Sequence, residues 1–356
     1  MSKTKQNIPE NILDEYQETQ SIIDVQPFGG GHINDTFLVE TPTDKYILQR
    51  VNKNVFRTEA LVKNYELFLK SIFQYQADNK IKITPDILKT KSGAFHIIDN
   101  DGYAWRLAEF IPGTTAYAIS PSKEISFKAA EAVGKFQLFL NTLPAHQFDY
   151  TILHFHDPER RLKAFQKALD TAKPNLLDQA KEETAFCLKF SNIVDEYNKI
   201  KDHLPEKVTH NDTKLDNILF YDQGKTLVID LDTVMPSTIL FDYGDMVRTF
   251  TSPVAEDEKE SSKVQFRRDH FEALTHGYLS GLNGDLQTIE KDHLLLGAKT
   301  IIYEQVLRFL TDYLLGNPYY KVKYPEHNLV RTKTQVKLLD TILRNSEQLE
   351  SFIRTL

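Results

Sequence analysis

The stretch Val208-Thr209-His210-Asn211-Asp212-Thr213-Lys214-Leu215-Asp216-Asn217-Ile218-Leu219-Phe220 sets a carboxylate, a cation and an amide at the spacing H-x-D-x-K-x-x-N. Transfer of a phosphoryl group needs such a set: a carboxylate to take or orient the proton of the attacking hydroxyl, and oxygen ligands for Mg²⁺. Asp212 suits the first task and Asn217 the second. Lys214 stands where a cation offsets charge developing on a γ-phosphate, and His210 is expected to brace the loop backbone. Alone, the spacing fits an ordinary polar loop equally well.

A second element changes that balance. Beyond Asn217 runs Thr226-Leu227-Val228-Ile229-Asp230-Leu231-Asp232, an apolar strand ending in a carboxylate, which is where a second Mg²⁺ ligand belongs. Asp230 takes that role. Asp232 lies two residues further on and either assists the metal or caps the following turn.

Upstream, Gly29, Gly30, Gly31 and His32 lie in Phe28-Gly29-Gly30-Gly31-His32-Ile33-Asn34-Asp35. Glycines there let main-chain N–H groups approach the phosphates of ATP, although a Gly-rich hairpin is also simply a turn. In KYILQRV, Gln49 or Arg50 occupies the place of a phosphate-gripping lysine. Neighbouring strand residues face opposite ways, so only one of them points at a nucleotide. Glu59 on the next helical segment is a possible partner for that residue, although a carboxylate at a helix start also simply suits the helix dipole.

These groups need a scaffold. SIIDVQPF, DTFLVE and KYILQRV read as three antiparallel strands, TEALVKNYELFLKSI as a helix burying Leu61, Tyr65, Phe68, Leu69 and Ile72, and ITPDILKT, AFHIID and YAWRLAEF as further strands. From Ser120-Pro121 onward the pattern is helical apart from residues 208–234. The fold class is therefore α+β and bilobal: a small antiparallel-sheet lobe over 1–111 that binds nucleotide, and a larger, mainly helical lobe over 112–356 that carries catalysis and the acceptor. The joint falls at Ile111-Pro112-Gly113.

Composition bounds the rest. The 356 residues are 41% apolar and 26% charged, with 43 Lys plus Arg against 50 Asp plus Glu. That is a globular balance of net charge −7, without the basic run a nucleic acid partner would need. No apolar stretch is long enough to span a bilayer, and the N-terminus lacks a signal-type apolar run, so no membrane partner and a cytoplasmic location are expected. Cys187, the single cysteine, excludes an intrachain disulfide and reads as a core residue. Oligomeric state is not readable.

On GGGHINDTF, KYILQRVNKNVF, WRLAEFIPGT, VTHNDTKLDNILF, VIDLDTVMPSTILFDYGDMVRT and LRFLTDYLLGNPYYKVKYPEHNLVRTKTQ, the chain resembles the aminoglycoside phosphotransferase and choline kinase superfamily. Within it, THNDTKLDN, IDLDTVMP and YPEHNLVR resemble the N-acetylhexosamine 1-kinase group. The resemblance spans nearly the whole chain and implies a protein-kinase-like fold. It also implies ATP-dependent phosphorylation of the anomeric hydroxyl of a free N-acetylhexosamine. By the same resemblance, adenine meets backbone at Glu109, Phe110 and Ile111, and Asp242 and Asp245 brace the active site, although either also suits a helix cap. Glu304, Arg308 and Asp312 form one polar stripe of a helix, which is either a solvated ion-pair row or part of the sugar pocket. The resemblance favours the pocket, for Arg308 above all; Tyr319, Tyr320 and Tyr324 offer rings to a pyranose. The alternatives are a kinase of the same superfamily acting on homoserine, choline, an aminoglycoside or another sugar, and a non-catalytic nucleotide-binding protein.

Overall fold

A computed structural model describes residues 8–29 and 33–356. The chain divides into two compact units, the first formed by residues 1–115, 141–153 and 219–236 and the second by 116–140, 154–218 and 237–356. The first change of unit falls after residue 115, and two later segments belong to the first unit. Hydrogen bonds hold them there. Thr115 and Phe220 exchange backbone bonds of 2.8 and 2.9 Å, Val228 N–H donates to Ile83 O, and Asn64 Nδ2 donates to Asp149 O at 2.7 Å.

The first unit opens with helix α1 (Glu10–Asp14) and the strands β1 (Asp24–Pro27), β2 (Asp35–Glu40) and β3 (Lys45–Arg50). Helix α2 (Thr58–Asn79), β4 (Ile97–Ile98) and β5 (Ala104–Glu109) follow. The sheet order is β1-β2-β3-β5-β4, and all its pairings are antiparallel. Alternation sorts the side chains. Val39, Leu48, Trp105 and Leu107 turn to one face and close, with Ile12 and Tyr16 of the α1 region, an apolar core. Leu61, Tyr65, Phe68, Leu69 and Ile72 of α2 are buried as their spacing predicts. The segment ITPDILKT, expected as a strand, makes one isolated bridge, Ile87 to Ala108, since Pro85 has no N–H to give a ladder. The hairpin of β7 (Ile218–Tyr221) and β8 (Lys225–Val228) completes this unit.

The second unit is helical apart from the short strand β6 (Lys207–Thr209). Its helices are α3 (Lys123–Leu140), α4 (Pro158–Thr171), α5 (Pro174–Gln179), α6 (Lys181–Lys189), α7 (Asn192–Ile200), α8 (Ile239–Phe250), α9 (Arg268–Leu282), α10 (Thr288–Asp292), α11 (Leu294–Leu314), α12 (His327–Arg344) and α13 (Ser346–Thr355). Two glycines let α8 and α11 touch backbone to backbone. A Cβ on Gly244 would meet Gly297 O at 2.6 Å, and one on Gly297 would collide with the carbonyl of Leu240. α11 is apolar almost all round, with Ile302, Tyr303, Val306, Leu307 and Leu310 all fully enclosed, so it is a core helix. Cys187 is buried in α6, and burial pushes its thiol up, away from nucleophilic use. No helix among the described residues is long and apolar enough to cross a membrane.

Candidate active site

The expected catalytic loop, in the second unit, is built around one left-handed residue. Asn211 has φ +65°, a conformation asparagine tolerates, and this turns the chain after β6 so that Asp212 follows at a sharp angle. His210 braces the turn by accepting the Asp212 N–H on Nδ1 at 3.2 Å, the structural task expected of it. Asp212 is about a quarter exposed, its side chain at 24%. Lys214 Nζ and Asn217 Nδ2 each lie 3.0 Å from its Oδ2. Burial alone would push the Asp212 carboxyl up, but Lys214 and, further off, Arg248 outweigh it and hold the group below the usual carboxylate range. The Asn217 amide also donates to Asp212 O at 2.8 Å. Its Nδ2 is thereby committed, while Oδ1 meets no donor among the described residues and suits a hard cation.

Beneath this loop sits Asp242 of α8, 1% exposed. Its Oδ2 accepts from His210 N at 2.9 Å and its Oδ1 from Asn211 N at 2.6 Å, and its backbone carbonyl accepts from Thr213 Oγ1 at 2.7 Å. Thr238 caps α8 through Leu240 N–H, so Asp242 is free of that duty and braces the loop. Burial, against the favourable backbone donors, pushes its carboxyl up to about 6. Asp245 pairs with Arg248, which continues to Glu256 at 2.7 Å; Asp245 Oδ2 is buried without a hydrogen-bond partner among the described residues.

In the first unit, Asp230 lies two residues beyond β8 in a left-handed conformation of φ +63°, and a single 3₁₀ turn over Leu231–Thr233 follows. Asp232 anchors that turn. At 1% exposure it forms a buried ion pair with Arg106 of β5, itself 4% exposed, and accepts from Tyr65 OH at 3.1 Å and from Asn34 Nδ2 at 2.5 Å. Both oxygens are thus committed to protein donors, which makes Asp232 a brace. Gln49 is the cross-strand partner of Arg106 and takes its Nε and Nη2 on Oε1 at 3.0 and 2.8 Å. Arg50 faces the other way, paired with Asp35 and set over the ring of Tyr103. The buried cation of this sheet is therefore Arg106, and its partner is Asp232, not Glu59, which is exposed on α2. Sequence reasoning missed Arg106 because pairing with a residue 126 positions away leaves no local signature.

Gly29 lies at φ +74°, while Gly30, Gly31 and His32 fall outside the described residues. At the end of β5, Glu109 N–H donates to Asp86 O and its carboxylate takes Asp86 N and Lys82. Ile111 N–H makes no hydrogen bond to a described residue and is the open donor of the segment.

On α11 the expected polar stripe is not a solvated ion-pair row. Glu304 and Asp312 are 1% and 4% exposed, and neither pairs with Arg308 among the described residues. Both oxygens of Asp312 are taken by the N–H groups of Tyr319 and Tyr320 and by Asn328 Nδ2, so it holds the loop after α11 in place. Among the described residues the Arg308 guanidinium has a single hydrogen bond, to Gln305 at 3.2 Å, and it lies over the rings of Phe155 and Tyr320 at 5.8 and 5.7 Å. Glu304 Oε2, Arg161 Nε and the hydroxyls of Tyr320 and Tyr324 are buried without a hydrogen-bond partner among the described residues. Tyr319 stands 70% exposed. Among the described residues no three His, Cys, Asp or Glu side chains gather as a metal cage. Mg²⁺ bound through one or two protein oxygens plus phosphates needs none.

The chain is similar to proteins of known structure. The profile of the phosphotransferase enzyme family, APH, matches residues 24–273. An aminoglycoside phosphotransferase from Alicyclobacillus acidocaldarius superposes with TM-score 0.60 at 13% identity, covering 98% of this chain and 95% of that one. The microcompartment-associated aminopropanol kinase superposes at TM-score 0.63 and 15% identity, over 95% and 96% of the two chains. Amicoumacin kinase hAmiN, in complex with AMP-PNP, Ca²⁺ and Ami, does so at 0.57 and 14%, over 92% and 90%. These likenesses give the fold, which is the protein-kinase-like one expected. The family match spans more than half of the sequence, so the chain belongs to the phosphotransferase enzyme family.

Proposed function

We propose that the protein is an ATP-dependent small-molecule kinase that phosphorylates the anomeric hydroxyl of a free N-acetylhexosamine. The observation that carries the kinase reading is Asp212, a partly open carboxylate kept ionised beside Lys214 and Asn217 on a loop locked from below by Asp242. In this reading Asp212 orients the acceptor hydroxyl and takes its proton, and Lys214 steadies charge on the transferred group. Asn217 and Asp230 are the proposed ligands of Mg²⁺, which when bound neutralises the phosphates. Ile111 N–H is the proposed adenine contact, with Glu109 holding the segment and Gly29 beginning the phosphate cover. Gln49 steadies Arg106, and no nucleotide role is proposed for Arg50.

The acceptor class follows from charge. Arg308 offers unused N–H groups between two rings, and Glu304 Oε2 and the Tyr320 hydroxyl add an acceptor and a donor. Such a set suits a neutral, oxygen-rich molecule. A cation such as choline or an aminoglycoside would meet the guanidinium as a like charge, opposed only by Glu304, whose carboxylate already lies beside His156 and Arg161. Asp312 is assigned a bracing role in place of a sugar contact. The test is a panel of free hexosamines, hexoses, homoserine, choline and an aminoglycoside, scored for phosphorylated acceptor and not only for ATP loss. Sugar 1-phosphate from an N-acetylhexosamine is the expected product. Turnover confined to cationic acceptors would refute the sugar reading, and no acceptor-dependent turnover would refute the kinase.

A further inference from the structure

His156 lies outside every motif of the sequence, yet it touches the residue before the proposed base. Its Nε2 lies 3.0 Å from Asn211 O, and its Nδ1 lies 3.4 Å from Glu304 Oε1. The ring is closed in by Phe155 and Phe241, with centroids at 4.5 and 5.1 Å. A backbone carbonyl and a carboxylate both accept hydrogen bonds, and only the doubly protonated imidazole donates from both nitrogens. We propose that His156 is a positioning residue, a buried imidazolium that ties the Asn211 carbonyl to Glu304 and so fixes the catalytic loop to the helix carrying Arg308.

Three further observations support the tether. Asn211 is left-handed, so its carbonyl must be held for Asp212 to keep its direction, and Asp242 holds the N–H side of the same residue. Glu304 is enclosed, with Arg161 Nε 3.9 Å away and its Oε2 without a hydrogen-bond partner among the described residues, so the histidine's charge offsets its burial. The surrounding charges are Glu304 and Arg308 on α11, Arg161 on α4 and Asp242 on α8. Burial would push the ring down, but the bond and the charge of Glu304 outweigh it and raise it above the ordinary histidine value. The cation is accordingly kept at low pH and lost as pH rises through that raised value.

The inference rests on the proposed kinase reading for what the loop does, but not for the tether itself, and the experiment separates the two. ¹⁵N-histidine spectra of the full chain at pH 6.5, where a free imidazole is about half charged, with His156→Gln to assign the signal, should show protons predominantly on both ring nitrogens. A bare ring nitrogen overturns the proposal. In turnover, His156→Phe keeps the aromatic packing and loses both bonds. It should lower kcat by about 10²-fold through misplacement of the base, with the ATP KM unchanged and the high-pH limb of kcat gone, in a chain still folded at the assay temperature whose unfolding temperature falls because Glu304 loses its countercharge. His156→Gln, which donates from one nitrogen only, should recover part of the rate. Unchanged kcat in His156→Phe, or a loss of rate matched by loss of fold in both variants, also overturns it. A wild-type chain that phosphorylates nothing yet shows both protons would refute the kinase reading and uphold the tether.

Discussion

Asp232 in the first unit and Asp242 in the second each hold the turn of a sequence-predicted active-site carboxylate, Asp230 and Asp212 respectively, and each is 1% exposed. Their surroundings differ. Asp232 meets a full countercharge, Arg106, together with Tyr65 and Asn34. Asp242 is held chiefly by two backbone N–H groups, and burial moves its carboxyl up to about 6. The first solution needs a buried cation and costs desolvation of both charges. The second needs no second ion, but it leaves a carboxyl that titrates close to neutrality. Two loops with the same mechanical need are thus expected to respond differently to mutation and to pH.

The largest effect should come from unpairing the first brace. Arg106→Met leaves Asp232 charged and buried, and loss of one partner of such a pair costs about 3–5 kcal/mol. Chemical denaturation should show that drop, with most of it recovered in Arg106→Met/Asp232→Asn, where no lone charge remains. A cost below about 1 kcal/mol, the range of an exposed pair, would erase the contrast with Asp242.

Next comes the carboxylate served by the second brace. Asp212→Asn keeps the shape and removes the charge, and should lower kcat by ~10²- to 10⁴-fold with nucleotide affinity retained. Since Lys214 holds Asp212 below the usual range, its own titration should leave activity intact down to strongly acidic pH. Near-normal kcat in a folded Asp212→Asn chain would end the kinase reading.

Asp242 then decides the acid side. Its value in the folded chain is raised, so the stability it gives in protonated form is full below the ordinary carboxyl value. That stability is lost as pH rises through about 6, and holding the ion above that costs about 3 kcal/mol. Activity should run the opposite way, falling as pH drops below about 6 and the loop loses an acceptor. In Asp242→Asn that limb should vanish. Unfolding stability should change little, because relief from the buried charge offsets an N–H left unpaired, worth about 1–3 kcal/mol. The kcat should fall by about 10²-fold through loss of loop geometry. A limb that persists at the same pH assigns it to another group.

The two units also differ in how far their sequence could be read. The catalytic loop was legible because its contacts are short-range: His210 reaches Asp212 and Asn217 reaches Asp212 within one turn of chain. The sheet and α2 were legible from period, except where Pro85 interrupts. The partner of Asp232 was not, since strand alternation says that Gln49 and Arg50 diverge without saying which face meets α2, and Arg106 comes from another strand. The polar row of α11 carried both a surface and a pocket meaning, and only the surrounding helices, which enclose Glu304 and Asp312, remove the first. His156 had no pattern at all; its two partners lie 55 and 148 residues away.

The smallest effect expected is at Arg308, where the comparison moves from bracing to recognition. Unlike Arg106, its guanidinium is spent on one bond to Gln305 and on two rings, so removing it orphans no buried charge. Arg308→Ala should therefore fold with little loss of stability. If the unused N–H groups hold the acceptor equally in ground and transition states, the variant raises the KM for sugar and leaves kcat and the KM for ATP unchanged. One charge-assisted hydrogen bond of about 1.5 kcal/mol corresponds to a KM rise of about 10-fold. Arg308→Lys keeps the charge but not the planar fork, and should recover only part of that loss. The acceptor series sharpens the test. The rise should be largest for the sugar that turns over best and smaller for one lacking the N-acetyl or a ring hydroxyl that Arg308 contacts, because a missing partner cannot be lost twice. An Arg308→Ala chain with unaltered sugar KM across the series would place the acceptor elsewhere in the unit and leave Arg308 as packing for Phe155 and Tyr320.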